Sequence, residues 1–255
     1  MKRSFNAKKE TENIIKFIRD YYKKYNLDGA IIGISGGKDS AVVAGLFTKA
    51  LGADNIIGVT MPCHTIKSAK TDAKLVSDHY GFKLINFDIG KVFDSFKKEL
   101  TNLGNFTSEE TINSDINLKP RLRMATLYYL AALYSTTNKK KYLVAGTSNK
   151  GELYVGYFTK GGDSVYDISV LADFFVDEVI QIGEYIKGPP QVLYKEPNDD
   201  LSNQTDEDKL GFTYADVKKY YYDNNSVDEK TAIKINKMHE ANNHKFVLPT
   251  YKRKN

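Results

Sequence analysis

Residues 30–47 constrain the fold more than any other stretch of this chain. Ala30, Ile31, Ile32 and Ile34 form an apolar run of strand length, and Ala41, Val42, Val43, Ala44, Leu46 and Phe47 carry the apolar density of a buried helix. Only Ser35-Gly36-Gly37-Lys38-Asp39-Ser40 separates them. A buried strand passing into a helix through so short a turn is the opening of a βα unit. The alternation then repeats. Further strands are expected near 55–61, 82–89, 142–145 and 166–168. Helices are expected near 8–25, 66–80, 91–100, 117–135, 176–187, 213–223 and 228–242. In the 117–135 helix, Leu122, Ala125, Tyr129 and Leu133 share one side, read as the inward one. This order predicts a single α/β domain: a doubly wound, mainly parallel five-stranded sheet with helices on both faces and right-handed crossovers. Ligands of such sheets sit beyond the carboxyl ends of the strands, where strand order reverses.

The first turn lies at such an end, and its residues are those a phosphate chain needs. Backbone N–H groups at a helix start lack intrahelical partners and sit at the positive end of the helix dipole. Lys38 adds a full charge, Ser35 and Ser40 add hydroxyl donors, and Asp39 can hold a divalent cation that bridges phosphate oxygens. The common GxxxxGK[ST] phosphate loop is excluded, because Ile32 stands where its first Gly belongs and Asp39 where its Ser or Thr belongs. No GxGxxG is present.

Bulk properties narrow the class. A chain of 255 residues can bury roughly 70–75% of its unfolded surface, enough for one large core without covalent staples. One cysteine, Cys63, excludes an intramolecular disulfide and a multi-cysteine metal site, and suits a reducing, cytoplasmic setting. No signal-peptide pattern precedes the first helix, and the longest apolar stretch, 125–134, is too short to span a bilayer. The four histidines show no metalloprotease spacing. The net charge of +5 suits phosphorylated substrates, and the basic runs 139–141 and 252–254 read as solvated ends, so neither nucleic acid nor membrane is the expected partner.

A second block follows the 142–145 strand: Gly146-Thr147-Ser148-Asn149-Lys150-Gly151-Glu152, then Gly156-Tyr157-Phe158-Thr159-Lys160-Gly161-Gly162-Asp163. The SGGxDS turn alone resembles N-type ATP pyrophosphatases. With GTxxxxE and GYFTKxGD downstream, the chain resembles ammonia-dependent NAD synthetases from about residue 12 to residue 249. Asn117-Leu118-Lys119-Pro120-Arg121-Leu122-Arg123-Met124, Lys195-Glu196-Pro197 and His244-Lys245 extend the likeness.

The resemblance implies amidation of deamido-NAD to NAD with ammonia, through an adenylated nicotinate, with release of AMP and pyrophosphate. It implies that Gly33, Ile34, Ser35, Gly36, Gly37, Lys38, Asp39 and Ser40 hold ATP together with Thr147 and Asn198, and that Asp39 and Glu152 bind Mg2+. Arg121, Lys160, Asp167, His244 and Lys245 would contact deamido-NAD, Lys38 and Lys160 would serve catalysis, and Asp163 would hold ammonium. A cytoplasmic homodimer without a glutaminase domain is implied, with the 117–135 helix as its face. This sequence departs from the family pattern at Val176, where many members have a Lys touching ATP, and at Asn198, where Ser or Thr follows Lys-Glu-Pro. The acidic segment 196–208 reads as a cover for the site or a spacer. Two other readings are consistent with SGGKDS: a tRNA-modifying pyrophosphatase, which usually needs paired cysteines, and a silent nucleotide-binding regulator.

Overall fold

The structure, a computed structural model, describes residues 5–64, 68–100, 102–195 and 206–253. The chain opens with α1 (Ala7–Tyr25), capped by Asn6, whose side chain accepts from the Lys9 amide at 2.9 Å. Then come β1 (Gly29–Gly33), α2 (Lys38–Leu51), β2 (Ile56–Thr60), α3 (Ser68–Tyr80), β3 (Lys83–Asn86), α4 (Gly90–Leu100), α5 (Ser108–Asn138) and β4 (Tyr142–Gly146). The remainder is α6 (Lys150–Val155), β5 (Ile168–Ser169), α7 (Val176–Tyr185), α8 (Pro190–Leu193), α9 (Asp206–Leu210), α10 (Tyr214–Tyr222) and α11 (Glu229–Asn242).

The five strands lie in the order β3-β2-β1-β4-β5, and every pairing is parallel, so the expected mainly parallel sheet is wholly so. Ile32 at the centre aligns with Gly58 on one side and Ala145 on the other. The chain winds outward from β1 to β3, then crosses back to place β4 against the free side of β1. Strand order therefore reverses between β1 and β4, and both sequence blocks begin where those two strands end.

Side chains of the buried strands alternate between two cores. Ala30, Ile32, Ile34 and Ala145 pack with Ile14, Ile18, Val43, Phe47, Val179 and Ile182 from α1, α2 and α7. Ile31, Val59 and Val144 face α4 and α5 through Phe93 and Leu130. A third, separate cluster, absent from the sequence reading, joins α6, α10, α11 and the start of α7 through Val155, Phe175, Tyr214, Val217 and Ile235.

The helix expected at 117–135 is longer and turned differently. It starts at Ser108 because Thr107 and Glu110 form a capping box, and it runs through Pro120. Leu118, Leu122, Leu127, Leu130, Ala131 and Tyr134 face the core, whereas Ala125, Tyr129 and Leu133 are exposed. This stretch is apolar all round, so periodicity alone does not select the buried side. α3 turns Ala73 and Val76 inward. Among the described residues, no helix is long and apolar enough to cross a membrane.

Candidate active site

The turn after β1 is braced by its own hydroxyls. Ser35 and Ser40 Oγ atoms lie 3.2 Å apart, the Gly37 amide donates to Ser35 Oγ at 3.2 Å, and Ser40 Oγ donates to the Gly37 carbonyl at 3.0 Å. Gly36 sits at φ 85, a left-handed conformation open to glycine at little cost. Gly37 then caps α2, leaving the Lys38, Asp39 and Ser40 amides in the first turn of a 14-residue helix. Two glycines and two hydroxyls thus shape a rigid rim around a positive helix end.

The block after β4 meets this rim directly. Asn149 is buried and caps α6 in a reciprocal box: Glu152 N donates to Asn149 Oδ1 and Asn149 N donates to Glu152 Oε2, both at 3.1 Å. The Asn149 side-chain amide also donates to Asp39 Oδ1 at 3.3 Å. Asp39 and Glu152 are therefore tied through one residue, across the point where strand order reverses. Burial pushes the Asp39 carboxyl above its ordinary range, while the Lys38 charge and the Asn149 hydrogen bond oppose that rise. Two carboxylates joined through one amide could be the protein's share of a Mg2+ site, since Mg2+ seldom takes an all-protein cage. Among the described residues, no group of three or more His, Cys, Asp or Glu could hold a metal.

A second set of residues gathers on the loop after α6. Arg121 on α5 donates through Nε and Nη2 to the Lys160 carbonyl, both at 3.3 Å, and Lys160 Nζ donates to the His244 carbonyl at 2.9 Å. Asp163 accepts from the Thr159 amide at 2.8 Å, and burial raises its carboxyl against that bond and the nearby Arg123 and Lys245 charges. Lys245 Nζ donates to the Gly156 and Phe158 carbonyls at 2.7 and 2.8 Å. Gly162 lies against Pro120, and Thr159 Oγ1 bonds Asn117 Oδ1 at 3.0 Å. Arg121, Lys160, Asp163, His244 and Lys245 are thus brought together.

Asp167 stands apart. Its carboxylate accepts from the Val144 amide at 2.8 Å and from the Tyr128 hydroxyl at 3.0 Å, which ties β5 and α5 to the middle of β4. Thr147 is half-buried just past β4. Val176 packs with the third core. Asn198, and the 196–205 part of the acidic segment, lie outside the described residues. Two residues given no role from sequence matter here. Asn149 was legible as a cap with Glu three positions on, and half-buried Arg123 bonds the Met61 carbonyl at 3.2 Å at the end of β2.

The profile of the NAD synthase family matches residues 10–249. The chain belongs to the NAD synthase family. It is 34% identical over 245 residues to the NH3-dependent NAD+ synthetase of Carboxydothermus hydrogenoformans, covering 96% of this chain and 97% of that one. The NMN synthetase of Francisella tularensis superposes with a TM-score of 0.86 at 29% identity, covering 98% and 99% of the two chains. The NH3-dependent NAD synthetase of Campylobacter jejuni superposes at 0.78 and 25% identity, covering 98% and 100%. The expected fold, family and ligase class agree with these relatives of the NAD synthase family.

Proposed function

We propose that this chain amidates deamido-NAD to NAD with ammonia, at the cost of ATP cleaved to AMP and pyrophosphate. The observation that carries the reading is the Asp39–Asn149–Glu152 bridge, which joins the phosphate turn after β1 to the family block after β4. A carboxylate resists ammonia because its carbon is electron-rich and it has no leaving group. Attack of the nicotinate carboxylate oxygen on the α-phosphorus of ATP expels pyrophosphate and leaves an acyl-adenylate. The amine lone pair then attacks the acyl carbon, a proton leaves the nitrogen, and AMP departs.

In the first step negative charge gathers on pyrophosphate. Lys38 brings a full charge to this turn, and the first-turn amides of α2, braced by the Ser35 and Ser40 hydroxyls, are donors in place before that charge develops, which is where such groups act most strongly. Asp39 and Glu152 would hold Mg2+, which when bound neutralises phosphate charge. Thr147 would border the nucleotide, and Asn198, outside the described residues, is assigned to it by the family resemblance. Arg121, Lys160 and the His244-Lys245 pair form the dinucleotide side, Asp167 would meet the same substrate from its separate place beside β4, and Asp163 offers a carboxylate to ammonium. The chain works as a cytosolic homodimer, a reading supported by α5. That helix has 31 residues, buries only Leu130 and Ala131 fully, and exposes Ile112, Ile116, Tyr129 and Leu133.

A second reading is favoured by one observation, the TM-score of 0.86 to an NMN synthetase against 0.78 to an NAD synthetase. The reacting carboxylate is the same in nicotinate mononucleotide and in the dinucleotide, so identical chemistry serves either. Purified protein incubated with ATP, Mg2+, ammonium and each acid tests both. NAD with an equal amount of AMP supports the first reading, a higher kcat/KM for the mononucleotide supports the second, and no AMP from either acid refutes the amidation itself.

A further inference from the structure

The ends of β1 and β4 carry the phosphate turn and the Glu152 block, and β5 ends beside them. Gly146 pairs with Ser169, so Ser169 stands level with the last residue of β4. Tyr166, three residues earlier, lays its ring across the same place. A Cβ on Gly146 would lie 2.4 Å from Tyr166 Cδ1 and 2.5 Å from Cγ, so the ring sits on bare glycine backbone. The half-buried ring also packs against the core that faces α4 and α5.

The phenol meets the Ser169 hydroxyl, whose oxygen is buried and has no other partner among the described residues. Two hydroxyls bonded to each other use one of their two protons. With Ser169 donating, the Tyr166 proton is left over, and a half-buried donor calls for an acceptor. Burial raises the phenol above its ordinary range. Ser169 opposes that rise, and the nearby Asp163 and Glu152 carboxylates add to it. The hydroxyl therefore stays neutral while lying within electrostatic reach of both carboxylates. Glu152 belongs to the metal and nucleotide side of the candidate site, and Asp163 to its ammonium side. The acyl group that passes from AMP to nitrogen has to lie between those sides. Its carbonyl oxygen carries little charge in the adenylate and a full negative charge once the amine has attacked, which is where a fixed donor acts most strongly.

We propose that Tyr166 is a catalytic residue of the amidation step, its hydroxyl donating to the acyl oxygen, and that Ser169 is the positioning residue that holds the phenol there. The C–N bond forms as the carbonyl electron pair moves onto oxygen, and the nitrogen loses a proton to water. The pair then returns as the C–O bond to AMP breaks, and Tyr166 keeps its own proton throughout. The inference rests on the amidation reading. Failure of the unaltered protein to form NAD refutes both, whereas NAD formation leaves Tyr166 to be judged alone.

The test takes the two steps apart. Tyr166→Phe keeps the ring on Gly146 and loses only the hydroxyl, and Ser169→Ala removes its partner. Each protein receives ATP, Mg2+ and deamido-NAD while pyrophosphate release is timed. Ammonium is then added, and NAD formation is followed through that single turnover. Pyrophosphate release should stay within about threefold of the unaltered protein in both variants. NAD formation should slow roughly 100-fold in Tyr166→Phe, the loss typical of one oxyanion donor, and about threefold to tenfold in Ser169→Ala, where the donor remains. Slow capture also exposes the adenylate to water, so AMP should exceed NAD at the end. Unchanged NAD formation in Tyr166→Phe overturns the proposal, and so does equal slowing of both steps, the mark of a structural role. Should Tyr166→Phe fail to fold, Ser169→Ala decides: a slowed second step alone supports the proposal, and an unchanged one overturns it.

Discussion

Asn149 is the residue on which the two halves of the site depend. It caps α6, receives Glu152 in return, and reaches Asp39 across the sheet. Its side chain accepts from the Glu152 amide and donates to the Asp39 carboxyl, and a bond to a charged group contributes about 1.5–3 kcal/mol. Asn149→Ala should therefore lower kcat by about 10-fold to 100-fold and raise the Mg2+ concentration needed for half-maximal rate. A magnesium titration checks this, and an unchanged midpoint refutes the bridge. Asp39 illustrates a different balance. Its native carboxyl is raised by burial, against Lys38 and Asn149. A carboxyl with a native value above its unfolded value subtracts stability as pH rises through that interval, and above it the full penalty persists. Asp39→Asn removes the penalty. It should abolish turnover yet raise Tm at neutral pH, with the two proteins converging below about pH 4, where the unfolded carboxyl is protonated too. Calorimetry across pH reads this directly, and a lower Tm at neutral pH contradicts it.

At the scale of elements, β1 shows how tightly the sheet is set. A Cβ on Gly29 would lie 2.4 Å from the Asn55 carbonyl oxygen and 2.5 Å from the Tyr142 ring. The oxygen belongs to backbone and cannot swing aside, so Gly29→Ala should cost about 1–3 kcal/mol, seen as a lower urea midpoint with unchanged slope. Elements of this kind were the most legible part of the sequence. Ile31 beside Ile32, with SGGKDS behind them, specifies a buried parallel strand and its turn, and the alternation specifies the order. The inward side of α5 was not legible, because Leu122, Ala125, Leu127, Tyr129, Leu130 and Leu133 are all apolar and tertiary packing makes the choice. The third core was hidden for another reason. Val155, Phe175, Val217 and Ile235 are scattered over four short elements, and no local period connects them. Of the candidate site, the phosphate turn could be read from its own residues, whereas Glu152 came only through the family resemblance. The α11 contacts to α6 could not be read, since side chains at 239, 242 and 245 gain meaning only beside carbonyls 154–158.

At the scale of the whole molecule, the exposed side of α5 leads to a prediction about assembly. Tyr129 and Leu133 lie one turn apart and outward. Tyr129→Glu with Leu133→Asp should turn a homodimer into a monomer by sedimentation, without loss of helical circular dichroism. A dimer that survives both changes would place the interface elsewhere. The sheet order carries a further consequence. β1 pairs with β4 through Ala30 and Leu143, partners separated by nearly half the chain, whereas β1, β2 and β3 all lie before residue 87. As the polypeptide leaves the ribosome, a three-stranded sheet can form while one flank of its central strand still lacks a mate. That bare flank is a template for the wrong neighbour, and it closes only when β4 arrives. Speed of translation between residues 86 and 146 thereby becomes a determinant of yield, and a pause there would lengthen the interval in which nascent chains can clump.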